Sequence, residues 1–120
     1  MRAQKLLLDG RGRVLLPPAL REAAGLRAGE PLVIGLGEVE LIVAPANTPV
    51  GPRPPTLDRK GRLTLPASLR SALGLVPGAA LLAQPGLEGL RLATPARLLG
   101  RLRSARLALQ RRLNEVTGAA

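Results

Sequence analysis

The sequence predicts a mostly β fold with short helices, built from two copies of one unit in a single chain and followed by a C-terminal amphipathic helix. Three observations predict it. The 120-residue chain matches itself at an offset of 49: LDGRGRVLLPPALREAAGLRAGEPL (8–32) lies over LDRKGRLTLPASLRSALGLVPGAAL (57–81). Extended without a gap to Ala44 and Ala93, 16 of 37 aligned positions are identical, and a repeat of that kind fixes an architecture. Short apolar runs alternate with Gly and Pro, the punctuation of strands and turns. Finally, a unit of about 37 residues buries too little surface to fold alone without metal or disulfide, so the two units are expected to share one core.

Each unit is predicted to run strand, turn, strand, short helix, turn and a second hairpin. In the first, Ala3–Leu8 is an apolar strand and Asp-Gly-Arg-Gly (9–12) a turn with two residues able to take positive φ. Arg13–Leu16 returns, and Pro17 and Pro18 end it and pre-set a helix. That helix covers Ala19–Ala24 and stops at Gly25. Pro31–Ile34 and Val39–Val43 make the second hairpin. In the second unit the helix is Ala67–Leu73 before Gly74, and the last hairpin pairs Ala79–Ala83 with Gly89–Ala93. Between the units, PANTPVGPRPPT (45–56) holds five Pro. Extended at roughly 3.1 Å per residue, it reaches roughly 37 Å, enough to cross a small barrel and start the second unit on the far side. After it, Thr94-Pro95 is a helix start. Leu98, Leu102, Ala105, Leu109, Leu113 and Val116 then share one helical stripe bordered by Arg. The expected organisation is repeat 1 over 1–44, linker over 45–56, repeat 2 over 57–94 and a basic amphipathic helix over 95–117.

Composition removes many functions. With no His and no Cys, thiol nucleophiles, Ser-His-Asp arrangements and zinc sites of Cys or His cannot be built. With no Phe, Trp or Tyr, bases cannot stack on aromatic rings. The glycines of 10–12 do not form a phosphate loop, because no G-x-x-x-x-G-K-[ST] is present. Asp9 and Asp58 stand first in their turns, where an Asp ordinarily bonds the backbone two residues on; that ordinary use outweighs acid–base chemistry. No enzyme, cofactor or metal is expected. The opening MRAQKLLLDG is too short in apolar residues for a signal-peptide core, and no run approaches the roughly 20 residues of a membrane span. The expectation is therefore a cytoplasmic, nucleoid-associated protein without a membrane.

Charge points to the partner. Eighteen Lys and Arg against eight Asp and Glu give +10, an attraction to polyanions such as nucleic acid. An Arg-rich coding bias, sixteen Arg to two Lys, is the plain alternative. The charge is uneven: residues 9–44 carry four Arg and five acids, residues 58–93 five cations and two acids, and residues 94–120 six Arg and one Glu. Arg11 and Arg13 in one unit, and Arg59, Lys60 and Arg62 in the other, stand at or beside a hairpin tip. Long cations there can reach phosphates or guanine edges; the alternative is a solvated basic turn.

The shared pattern L-D-x-x-G-R-[VL]-x-L-P-x-x-L-R-x-A-x-G-L-x-x-G resembles the AbrB-type swapped-hairpin domain. That domain occurs in transition-state regulators, in MazE-type antitoxins and, as a tandem pair, in MraZ regulators. The resemblance covers 3–44 and 52–94. It implies a swapped-hairpin AbrB-like β-barrel, here formed by two internal repeats of one chain, and DNA binding through basic residues of the first hairpin and the short helix. By that correspondence the Arg of Gly-Arg is Arg13 and Arg62, and the Arg of Pro-x-x-Leu-Arg is Arg21 and Arg70. A second Arg that follows in some relatives is replaced by Glu22 and Ser71. Packing, or an ion pair with Glu22 or Asp9, is the other reading of Arg21 and Arg70. The linker is Pro-rich where MraZ regulators place a helical segment.

The functional expectation is a regulator that occupies double-stranded operator DNA through Arg11, Arg13, Arg21, Arg59, Lys60, Arg62 and Arg70. It is expected to form a homo-oligomer through its C-terminal helix, although that stripe could instead pack on its own barrel. The alternative is an antitoxin that binds its promoter with the same barrel and a toxin with its tail; a basic amphipathic tail speaks against it. A nucleic-acid coating protein without sequence preference is the third reading.

Overall fold

Two turns and two short helices divide seven strands between a broad sheet and a narrow ribbon. The computed structural model describes residues 2–37, 39–47, 51, 54–100, 107, 108 and 111. In chain order the elements are β1 (Gln4–Leu7), β2 (Arg13–Leu15), α1 (Pro18–Ala23), β3 (Leu32–Leu36), β4 (Glu40–Pro45), β5 (Arg62–Thr64), α2 (Ala67–Leu73), β6 (Ala80–Pro85) and β7 (Leu90–Ala93). A further helical stretch covers 95–100. The fold is mostly antiparallel β with short helices.

The strands form a five-stranded sheet in the order β1-β6-β7-β4-β3 and a separate two-stranded ribbon, β2-β5. The expected closed barrel is therefore corrected. Backbone chemistry supplies one reason. A sixth strand would lie beside β3, where Pro31 bridges Thr56 and Leu32 N–H donates to the Pro55 carbonyl at 2.8 Å. Pro54 and Pro55 have no N–H to give, so the segment yields isolated bridges instead of a ladder. The arms of the Asp9 turn supply the other reason. Asp9 N–H donates to Arg13 O across the turn, but β1 then joins β6 while β2 joins β5. The two arms part instead of zipping as one hairpin.

The two ends of the linker lie near each other. Pro45 pairs with Leu32 on one side of β3, and Thr56 bridges Pro31 on the other. The second half thus starts about two strand spacings, roughly 10 Å, from where the first ends. No crossing of the molecule is required.

The helices follow from their ends. Pro17 and Pro66 enter with extended ψ (149° and 142°), and Pro18 stands in the first turn of α1, where no N–H is needed. Both exits close the same way: Leu26 N–H reaches Arg21 O and Leu75 N–H reaches Arg70 O, around Gly25 at φ 71° and Gly74 at φ 65°. The stretch 95–100 starts under a Thr94 cap, with Arg97 N–H donating to Oγ1 at 3.2 Å.

Without aromatics the core is aliphatic. Val14, Leu16, Leu63 and Leu65 come from the ribbon region, Leu41, Val43, Leu81, Ala83, Leu90 and Leu92 from the sheet, and Leu20 from α1. No polar or charged side chain is buried among the described residues. Nor, among them, is any helix long and apolar enough to cross a membrane.

Candidate nucleic-acid interface

The ribbon places the basic turns. In β2 and β5 the middle residues, Val14 and Leu63, point inward and are fully buried. Period-two alternation then turns Arg13, Leu15, Arg62 and Thr64 to the outer face. The antiparallel register sets Arg13 opposite Thr64 and Leu15 opposite Arg62. One rung is added at each end, with Leu65 N–H to Gly12 O and Leu16 N–H to Gly61 O, both 2.9 Å. From Gly12 to Leu16 the ribbon is about 14 Å long at about 3.4 Å per residue, and a turn stands at either end. A two-stranded ribbon of this kind fits the major groove, and its length matches about four base-pair rises.

Each turn is built by its Asp. Asp9 Oδ1 accepts from the backbone N–H of Arg11 and of Arg13, both at 2.8 Å, while Oδ2 takes Arg13 Nε at 2.8 Å. Asp58 does the same with Lys60 N–H at 2.9 Å, Arg62 N–H at 2.8 Å and Arg62 Nε at 2.6 Å. These bonds hold both carboxyls below their ordinary value. The backbone N–H of Arg13 and of Arg62 is the main cause, with the guanidinium adding to it and partial desolvation opposing it. Only one residue of each turn takes positive φ, Gly12 at 76° and Gly61 at 81°. Gly10 does not, and Arg59 fills its place in the second turn.

The seven sequence-predicted residues fall into three groups. Arg11, Arg59 and Lys60 are exposed at the turn tips. Arg13 and Arg62 are half-buried on the ribbon face and aimed by their Asp partners through Nε, which leaves the Nη nitrogens to meet a ligand. Arg21 and Arg70 do something else: each lies over the turn of the opposite half. A Cβ at Gly61 would sit 2.8 Å from Arg21 Cζ, and one at Gly12 would sit 2.5 Å from Arg70 Cζ. Arg70 Nε also donates to Leu65 O at 3.0 Å, whereas Arg21 Nε is buried without a hydrogen-bond partner among the described residues. Among the described residues neither Arg pairs with Glu22 or Asp9. They buttress the tips rather than extend from them.

Two residues of this face were not singled out in the sequence, Leu15 and Thr64. Their signal was the alternation itself, since Val14 and Leu16, like Leu63 and Leu65, are the inward members of their strands. The charged pair Arg91–Glu40, with Nη2 to Oε1 at 2.7 Å, lies instead on the outer face of the sheet. There Glu40 is the main reason the Arg91 guanidinium is held above its ordinary value. Leu98 lines a cleft on that same face with Leu82 and Ala93. The later stripe residues Leu102, Ala105, Leu109, Leu113 and Val116 lie outside the described residues.

In comparisons with known proteins, no family model, no curated protein and no solved structure matches this chain.

Proposed function

We propose that the chain is a double-stranded DNA-binding transcriptional regulator that works by occupying its operator. One observation carries the reading: a two-stranded ribbon with a basic turn at each end, on which carboxylates orient Arg13 and Arg62 and the tip cations Arg11, Arg59 and Lys60 face solvent. The tips reach phosphates and set the register, and the ribbon face meets base edges.

The AbrB-type swapped-hairpin architecture belongs to this proposal. It is supported by three ladders, β1–β6, β2–β5 and β4–β7, that join opposite halves of the chain. It is supported too by hydrogen bonds that come in pairs 49 residues apart. Gly78 N–H to Leu8 O is matched by Gly29 N–H to Leu57 O, and Leu65 N–H to Gly12 O by Leu16 N–H to Gly61 O. Such pairing supports a reading in which two halves exchange hairpins about a pseudo-twofold axis between Val14 and Leu63 and between Ile42 and Arg91.

The test is selection of bound duplexes from a random pool with the purified chain. Enrichment of one sequence, with binding that weakens as salt rises, is the expected result. Binding to every duplex alike would replace the regulator by a coating protein, and no binding at all would remove nucleic acid.

A further inference from the structure

The ribbon is symmetric in its backbone and asymmetric in what it presents. Because the strands are antiparallel, each end of the ribbon combines residues from both halves. One end carries Arg11, Arg13 and, across from Arg13, Thr64. The other carries Arg59, Lys60, Arg62 and, across from Arg62, Leu15. Leu15 and Thr64 stand 49 positions apart and occupy equivalent places. Leu15 is 57 % exposed. It adds nothing to the core, which takes Val14 and Leu16 from the same segment. What sets Leu15 apart from the other exposed apolar side chains is its place: it stands between two guanidinium-bearing residues, Arg13 and Arg62, on the ribbon face.

Resting on the DNA-binding reading, we propose that this chain reads a non-palindromic duplex in which Leu15 packs on the C5-methyl of a thymine in one half-site only. The major groove presents that methyl as its one apolar feature, and the aliphatic end of the ribbon matches it. Thr64, at the equivalent place in the other half, offers a hydroxyl and a single methyl and does not make the same demand. The second tip brings two cations to its phosphates where the first brings one. The bound orientation is thereby fixed: the Leu15 end lies over the thymine half-site and holds the backbone there more strongly.

The experiment begins with the duplex selected above and replaces each thymine in turn by deoxyuracil, which removes the methyl and leaves the hydrogen-bonding edge intact. Three proteins are titrated: the native chain, Leu15→Thr and Thr64→Leu, with thermal melting as the control for folding. For the native chain, one position in one half-site should cost about fourfold in affinity, the worth of one buried methyl group. Leu15→Thr should lose that sensitivity. Thr64→Leu should gain a second sensitive position, in the other half-site, and does not depend on Leu15→Thr folding. A selected site with two identical half-sites would overturn the asymmetry while leaving DNA binding in place. An asymmetric site at which deoxyuracil costs nothing, or costs native and Leu15→Thr chains equally, would overturn the role of Leu15. Absence of any duplex binding would instead overturn the reading on which this rests.

Discussion

Asp9 and Asp58 each accept two backbone N–H groups and one guanidinium, so a single side chain folds a turn and aims a cation. Both carboxyls are held below their ordinary value. A depressed carboxyl contributes stability that is present above the unfolded value of about 3.9 and is lost as pH falls through the lower folded value. Melting temperatures of the native chain and of an Asp9→Asn, Asp58→Asn variant are therefore expected to differ at pH 6 and to converge in acid. Asn keeps a turn-forming oxygen, so the variant should still fold, and a gap that persists unchanged into acid would contradict the assignment. The tip cations are checked by salt. Arg11→Ala should lower the slope of log K against log salt by about 0.9, and Arg59→Ala with Lys60→Ala by about 1.8. Replacing Arg13 and Arg62 should weaken binding by more than their own contacts, because Asp9 and Asp58 would then face phosphate unpaired.

At the scale of elements, the turn glycines and the helix arginines are one device. Gly61 takes φ 81°, which costs an L-residue about 1–3 kcal/mol, and Arg21 covers the space where a Cβ would stand. Gly61→Ala should therefore destabilise by more than the backbone strain alone, and adding Arg21→Ala should return part of the loss. A double-mutant cycle read by denaturant unfolding measures that coupling; strict additivity would separate the two residues. This contact also marks where sequence reading stops. Local physics announced α2 at its observed limits, because Pro66 and Gly74 bound it, and it placed the hairpin strands whose limits it gave within two residues; the strand that the repeat implies before the Asp58 turn is replaced by isolated bridges at Thr56 and Leu57. The second hairpin of each unit, β3–β4 and β6–β7, was legible as well, but which strands pair between the two halves was not. The Asp9 turn looks like a hairpin from its own residues, and only the competing offer of β5 and β6 pulls its arms apart. For the helix arginines DNA contact and packing both stood open, and nothing within ten residues of Arg21 announces Gly61 as what it covers. Leu15 was not singled out because apolar residues fill the whole of 14–16, and only the pleat distinguishes it from its neighbours.

On the scale of the whole molecule, three of the five ladders cross between the halves, and Arg21 and Arg70 cross with them. A chain cut at residue 51 is expected to give fragments that lack cooperative unfolding alone and regain it when mixed, as circular dichroism would record; a cooperative, monomeric transition from residues 1–51 would contradict the shared core. The C-terminal stripe bears on assembly. Leu98 lies at its own sheet, and the rest of the stripe is proposed to pair with a second chain. Leu102→Glu with Leu109→Glu should then halve the mass in solution and leave the melting temperature nearly unchanged. Lost stability at constant mass would instead assign the stripe to its own chain.

The crossing ladders also set a timetable. Residues 1–45 supply both edges, β1 and β3, and the inner strand β4 of a sheet whose other members, β6 and β7, end at Ala93. A ribosome adds roughly 5–20 residues per second, so the first half emerges roughly 2–10 s before its partners, with the edges of β1 and β4 unpaired. During that wait the nearest matching strands can belong to another nascent chain of the same message. The geometry that lets one chain do the work of two thus exposes each new molecule to exchange with its neighbours, and the speed of translation helps decide which of them it closes upon.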